Sequence, residues 1–211
     1  MTPLITHESL ENAMNYPTYV EMVRRLFGRG ETTGNKEFQT RFWMDLTAQS
    51  LEKIDSLLQF SNLKENTIKK IQSQDMPLVW LAITQAWCIN SAYILPVIYK
   101  MAELNSNITM KVVLRDEPPY IIDNFLTSGS KSTPKVICLD AESLVVLGTW
   151  GPRPTELQAK MMLRTRAINK LFGSDSNAES KGRAIVNQMT EWYEKDQTES
   201  IQIEVLESLI Y

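Results

Sequence analysis

The hydrophobic period of the chain changes at Pro77. Before it, apolar residues recur at three- and four-residue spacing, the mark of helices that bury one stripe. Leu10, Met14, Tyr19, Met22, Val23, Leu26 and Phe27 form a first stripe over residues 8–27, interrupted by Pro17. Residues 28–35 are loop-like by their glycines. From Glu37 the pattern Phe38, Phe42, Leu46, Leu51, Ile54, Leu57, Leu58 predicts a long amphipathic helix, and Leu63, Ile68, Ile71 a short one.

Beyond Pro77 the elements alternate. Residues 78–83 are a continuous apolar run of strand length, and 91–104 have a helical spread with Pro96 inside, implying a kink. Residues 108–114 alternate as a strand, and Pro118-Pro119 is expected to open a helix through Leu126. Residues 135–140 and 143–147 read as an antiparallel hairpin, followed by helices over 155–172, about 180–195 and a short last one after Thr198. The order β-α-β-α-β-β-α makes the first two strands parallel and ends the sheet in antiparallel pairing. We divide the chain into a helical extension (1–75), an α/β domain (76–172) and C-terminal helices packed on it (173–211).

Composition narrows the function classes. A chain of 211 residues with 43% hydrophobic and 22% charged residues and net charge −3 has the make-up of a soluble globular protein. Neither a clustered basic footprint nor an aromatic platform is present, so no nucleic-acid partner is expected. No apolar run reaches the roughly 18 residues of a membrane span, and the start Met1-Thr2-Pro3-Leu4 has no basic-then-apolar signal pattern. Two cysteines, Cys88 and Cys138, make no disulfide framework, so a reducing cytoplasm is the default. The single histidine, His7, lies near a terminus; no metal site and no cofactor are expected. Three glycines and Lys36 in 28–36 lack P-loop spacing and read as a turn.

The chemistry gathers at Trp87-Cys88, where the apolar run gives way to a helix. A thiol at a helix N-terminus faces unpaired N–H groups that favour its thiolate. Three residues on, one turn away, a dithiol oxidoreductase would place a second cysteine; here stands Ser91. Serine cannot resolve a mixed disulfide, although its hydroxyl can donate to the thiolate. Cys138, in a strand interior, reads as a structural thiol.

Four motifs in order, Trp87-Cys88, Arg115-Asp116, Gly129-Ser130-Lys131-Ser132-Thr133-Pro134-Lys135 and Trp150-Gly151-Pro152-Arg153-Pro154, resemble the thioredoxin superfamily. The nearest resemblance is to bacterial thioredoxin-like proteins with a helical N-terminal extension, here with a degenerate Cys-x-x-Ser site. It implies a thioredoxin-like fold, a central mixed sheet flanked by helices with helical additions at both ends. It also implies a cis bond before Pro134, which lies beside the Cys88 sulfur, and a peptide groove formed by Trp87, Thr133, Pro134, Trp150 and Gly151. Arg153 reads either as a groove cation or as an ion pair holding the next helix, the second preferred. The chain departs from the dithiol pattern at Ser91, at Ala82 in place of a buried carboxylate, and at Ile89-Asn90. Two functions stay open. One is single-cysteine thiol–disulfide exchange through Cys88 and Ser91, on a protein or peptide disulfide or a low-molecular-weight thiol. The other is a redox-inert binding module that reuses the groove. Oligomeric state is not legible.

Overall fold

The computed structural model describes residues 5–172 and 178–210. The boundary drawn at 172/173 meets residues 173–177, which lie outside the described part. Two helices, α1 (His7–Glu11) and α2 (Tyr16–Gly28), replace the single expected one. Pro17 sits in the first turn of α2, where a missing N–H breaks no helical bond, and Asn15 caps that turn by accepting from the Thr18 N–H at 2.8 Å. The proline therefore starts a helix and does not interrupt one. The chain between α1 and α2 bonds the outer edge of the sheet, with Met14 and Val112 exchanging N–H···O bonds at 3.1 and 2.8 Å.

Next come a 3-10 turn over Lys36–Phe38 and the helices α3 (Arg41–Phe60) and α4 (Glu65–Gln72). Phe38 thus lies outside the long helix, not at its start. Its ring lies over Gly34, where a Cβ would meet the ring at 2.7 Å and φ is +98°.

The sheet comprises β1 (Leu78–Thr84), β2 (Ile108–Leu114), β3 (Lys135–Asp140) and β4 (Val146–Trp150), in the order β2-β1-β3-β4. β1 runs parallel to β2 and antiparallel to β3, and β3 is antiparallel to β4. β1 is apolar from Leu78 to Ile83 because both its faces are covered. Leu78, Trp80 and Ala82 join a core that extends through α2, α3 and the crossover helix α5 (Ile89–Ala102), while Val79, Leu81 and Ile83 pack with Leu10, Ile121 and Ile122 on the other face. α5 runs unbroken through Pro96.

Two further expected elements differ. In place of a helix after Pro118-Pro119 there is only a 3-10 turn, Ile121–Asn124. The prolines offer no N–H, and Tyr120 takes a left-handed φ of 56°, off the helical path. The fourth strand begins three residues later than expected, because Asp140 spends 141–145 on a turn. Its carboxylate accepts from the Ser143 N–H and hydroxyl at 2.7 and 2.6 Å, and Leu144 is left-handed.

The C-terminal helices are α6 (Thr155–Phe172), α7 (Ala178–Asp196) and α8 (Glu199–Leu209). Ile201, Val205 and Leu209 of α8 join the core that holds Trp80 and Cys138, and Tyr193 of α7 stacks on Tyr93 of α5 at 4.5 Å. Among the described residues no helix is long and apolar enough to cross a membrane.

Candidate functional site

Cys88 caps the N-terminus of α5 with extended backbone, and its carbonyl accepts the Ala92 N–H at 3.0 Å. Its side chain does not cap the helix. The sulfur instead meets the loop that enters β3. The Cys88 S–H donates to the Thr133 carbonyl at 3.2 Å, and the Thr133 hydroxyl donates to Sγ, also at 3.2 Å. A thiol held this way keeps a donor aimed at the sulfur after it loses its own proton. Cys88 is 7% exposed.

Thr133-Pro134 is a cis peptide, as are Pro118-Pro119 and Gly151-Pro152. Gly151 presses directly on this loop: a Cβ at its position would come within 2.4 Å of the Pro134 carbonyl oxygen, at φ +108°. Lys135 locks the contact from the neighbouring position, its ammonium donating to the Gly151 carbonyl at 3.2 Å, and burial pushes its pKa down. Cys88, Thr133, Pro134 and Gly151 are therefore one contiguous group.

The other proposed groove residues are placed differently. Trp87 is held by the N-terminal extension. Its ring stacks on Phe38 at 4.9 Å and tilts against Trp43 at 4.5 Å, while the Arg115 guanidinium lies 5.0 Å from its centroid. Its indole N–H donates to the Thr33 carbonyl at 3.0 Å, and the Thr33 hydroxyl accepts the Ala86 N–H at 2.8 Å. Residues 33–43 thus clamp the turn that carries the cysteine. Arg115 is oriented by Asp116, which takes both its Nε–H and an Nη–H at 2.7 Å and also accepts from Gln85 at 2.7 Å. Trp150 closes β4, buried, and its indole N–H donates to Glu204 of α8 at 3.0 Å. The same carboxylate accepts the Thr155 N–H at 2.8 Å, tying α8 to the start of α6.

Ser91 is 3% exposed, and its hydroxyl has no partner among the described residues. The hydroxyl that reaches the sulfur comes from Thr133, 45 positions along the chain from Cys88. Asn90, a departure from the dithiol pattern, accepts the Tyr193 hydroxyl at 3.0 Å, bringing α7 over the start of α5. Tyr19 of α2 and Tyr193 of α7 both interact electrostatically with Cys88, and burial pushes both phenols well up, so they stay neutral. Cys138 stands apart. It is fully buried, its S–H donates to the Leu209 carbonyl at 3.5 Å, and burial pushes its thiol up to about 11.

Sequence reasoning missed Tyr19, Tyr193 and the 33–43 clamp. All lie more than forty positions from Cys88. A helical stripe marks Tyr19 and Phe38 as apolar-facing, and nothing local says where they pack.

Similarity to known proteins agrees with the geometry. Among curated proteins none matches the chain. Two solved structures are similar to it at 15% identity. A crystal structure of an HIV epitope-scaffold has a TM-score of 0.57, covering 96% of this chain and 96% of that one. A Pseudomonas aeruginosa protein of unknown function has a TM-score of 0.49, covering 92% of this chain and 94% of that one. The family model described as thioredoxin matches residues 37–170. With a four-stranded mixed sheet between helices and the motif residues at its edge, the chain belongs to the thioredoxin family.

Proposed function

We propose that the protein acts through Cys88 in single-cysteine thiol–disulfide exchange, on a peptide or low-molecular-weight mixed disulfide. The observation that carries this reading is the pair of contacts between Cys88 and Thr133, in which a hydroxyl donates to Sγ at 3.2 Å. A thiolate is the nucleophile in such chemistry, and a donor that stays in place as the charge forms favours it. In the first step the Cys88 thiolate attacks one sulfur of the substrate disulfide. A new S–S bond forms as the old one breaks, and the other sulfur leaves as a thiolate that takes a proton from solvent. With Ser91 in place of a second cysteine, an external thiol in its thiolate form must attack the mixed disulfide and return Cys88. The net result is one disulfide exchanged for another. The Thr133-Pro134 loop and Gly151 are the surface on which the substrate chain would lie, with Trp87 and Trp150 at its margins, and Ser91 supports the first turn of α5.

A second reading, a redox-inert module that binds a partner through the same loop, is favoured by one observation. Cys88 is 7% exposed, so a substrate sulfur reaches it only along a narrow approach. Incubation with a glutathione-capped peptide disulfide separates the two. Exchange predicts one adduct on Cys88 by intact mass, released by excess thiol and absent in Cys88→Ser. The binding module predicts no adduct, and the same partners retained by wild type and Cys88→Ser from cells.

A further inference from the structure

The antiparallel register between β3 and β4 runs out to the pair Val136 and Trp150. Two positions further out stand Pro134 and Pro152, and neither has an N–H with which to extend the ladder. Lys135 and Gly151 lie in between. What joins them is a side chain: the Lys135 ammonium donates to the Gly151 carbonyl at 3.2 Å.

A lysine is a costly residue to put there. Lys135 is 7% exposed, and Val136, Ile137, Cys138 and Leu139 after it are fully buried. An ammonium in such a place gives up water, and burial pushes its pKa down. A methionine would fill much the same space without that penalty. The donor is what a lysine brings that a methionine lacks, and its acceptor is Gly151.

The contact reaches the thiol in two steps. Gly151 is so close to the Pro134 carbonyl oxygen that a Cβ would come within 2.4 Å of it. Thr133, the residue before Pro134, meets the Cys88 sulfur through its hydroxyl and its carbonyl, each at 3.2 Å. A hydrogen bond weakens steeply as its distance and angle open, so the Thr133 donor depends on where its loop is held.

We infer that Lys135 is a positioning residue for Cys88: its ammonium holds the Gly151 turn against the Thr133-Pro134 loop and so keeps the Thr133 hydroxyl on the sulfur. Lys135 acts through Thr133 and does not itself touch the thiol. The inference rests on the exchange reading and deepens it.

The experiment measures iodoacetamide alkylation of Cys88 at neutral pH in the folded full chain, in a cycle of Lys135→Met, Thr133→Val and the double variant. Lys135→Met should slow the reaction as much as loss of the Thr133 hydroxyl does, about fivefold. Because both changes act through one hydrogen bond, adding Lys135→Met to Thr133→Val should slow it by less than about twofold more. Lys135→Gln, whose amide is too short to reach the same carbonyl, should behave as Lys135→Met and serves if that variant does not fold. An unchanged rate in either folded variant overturns the inference. So does a double variant slowed by the product of the two effects, about 25-fold, because a lost charge or a separate packing defect multiplies with the Thr133 effect. These outcomes leave exchange itself intact. A wild-type Cys88 that neither iodoacetamide nor the glutathione-capped peptide modifies ends the exchange reading, and this inference with it.

Discussion

The two thiols of this protein are both buried and both donate to a backbone carbonyl, yet their surroundings differ in kind. Cys138 lies in the centre of β3, with Trp80 opposite it on β1 and α8 above it. Desolvation outweighs the opposing contact with Trp80 and pushes the thiol up to about 11. Cys88 lies where β1 turns into α5, where the Thr133 hydroxyl before β3 donates to its sulfur and Tyr193 on α7 reaches the same first turn through Asn90. Being buried therefore does not by itself set a thiol's surroundings. Where segments converge on Cys88 a hydroxyl donates to the sulfur, whereas within the strand burial outweighs the Trp80 indole beside Cys138.

The largest test of this contrast is chemical selectivity. At pH 8 roughly one Cys138 in a thousand is ionised, given a thiol pushed up to about 11. Peptide mapping after iodoacetamide treatment of the native protein should find Cys88 modified and Cys138 untouched; modification of both at similar rates would break the comparison.

A smaller effect concerns stability. Because the folded state raises the Cys138 pKa from 9.0 to about 11, the thiol is protonated in both states below pH 9 and its contribution is whole there. Between pH 9 and 11 the unfolded chain ionises first, so stability falls, by about 2–3 kcal/mol in all. Denaturant titrations should show that alkaline decline partly flattened in Cys138→Ala, the residual slope coming from buried tyrosines such as Tyr19. In Cys88→Ala the decline due to Cys138 should persist.

The smallest effect sharpens the Cys88 side. Thr133→Val keeps the shape and the carbonyl while removing the hydroxyl donor at 3.2 Å. Loss of one such hydrogen bond, about 1 kcal/mol, should slow Cys88 alkylation at neutral pH about fivefold. Ser91→Ala should leave that rate within twofold, since the Ser91 hydroxyl has no partner among the described residues.

The site was legible in proportion to how local its cause is. Trp87-Cys88 and Thr133-Pro134 announce themselves by motif, and the structure brings Cys88 and Thr133 into contact across 45 positions. Ser91 shows the limit. Spacing places it one turn from the sulfur, and its hydroxyl has no partner among the described residues. Trp87 and Trp150 were recognisable as motif residues, while their attachment to Thr33 and Glu204 depends on how the terminal helices pack.

What the sequence determined by itself is the sheet and its family. A continuous apolar β1, an alternating β2 and the crossover helix between them follow from periodicity, which is a property of neighbouring residues. Turn chemistry already strained that reading at Pro118-Pro119 and Asp140, where single side chains decided the backbone. The electrostatic environment of Cys88 was decided only by tertiary structure. Trp43, Thr133 and Tyr193, which meet the turn that carries it, come from a helix before the sheet, a loop at its edge and a helix after it. Charge and burial act through space at a few ångströms, and no spacing along the chain encodes which distant residues will stand there.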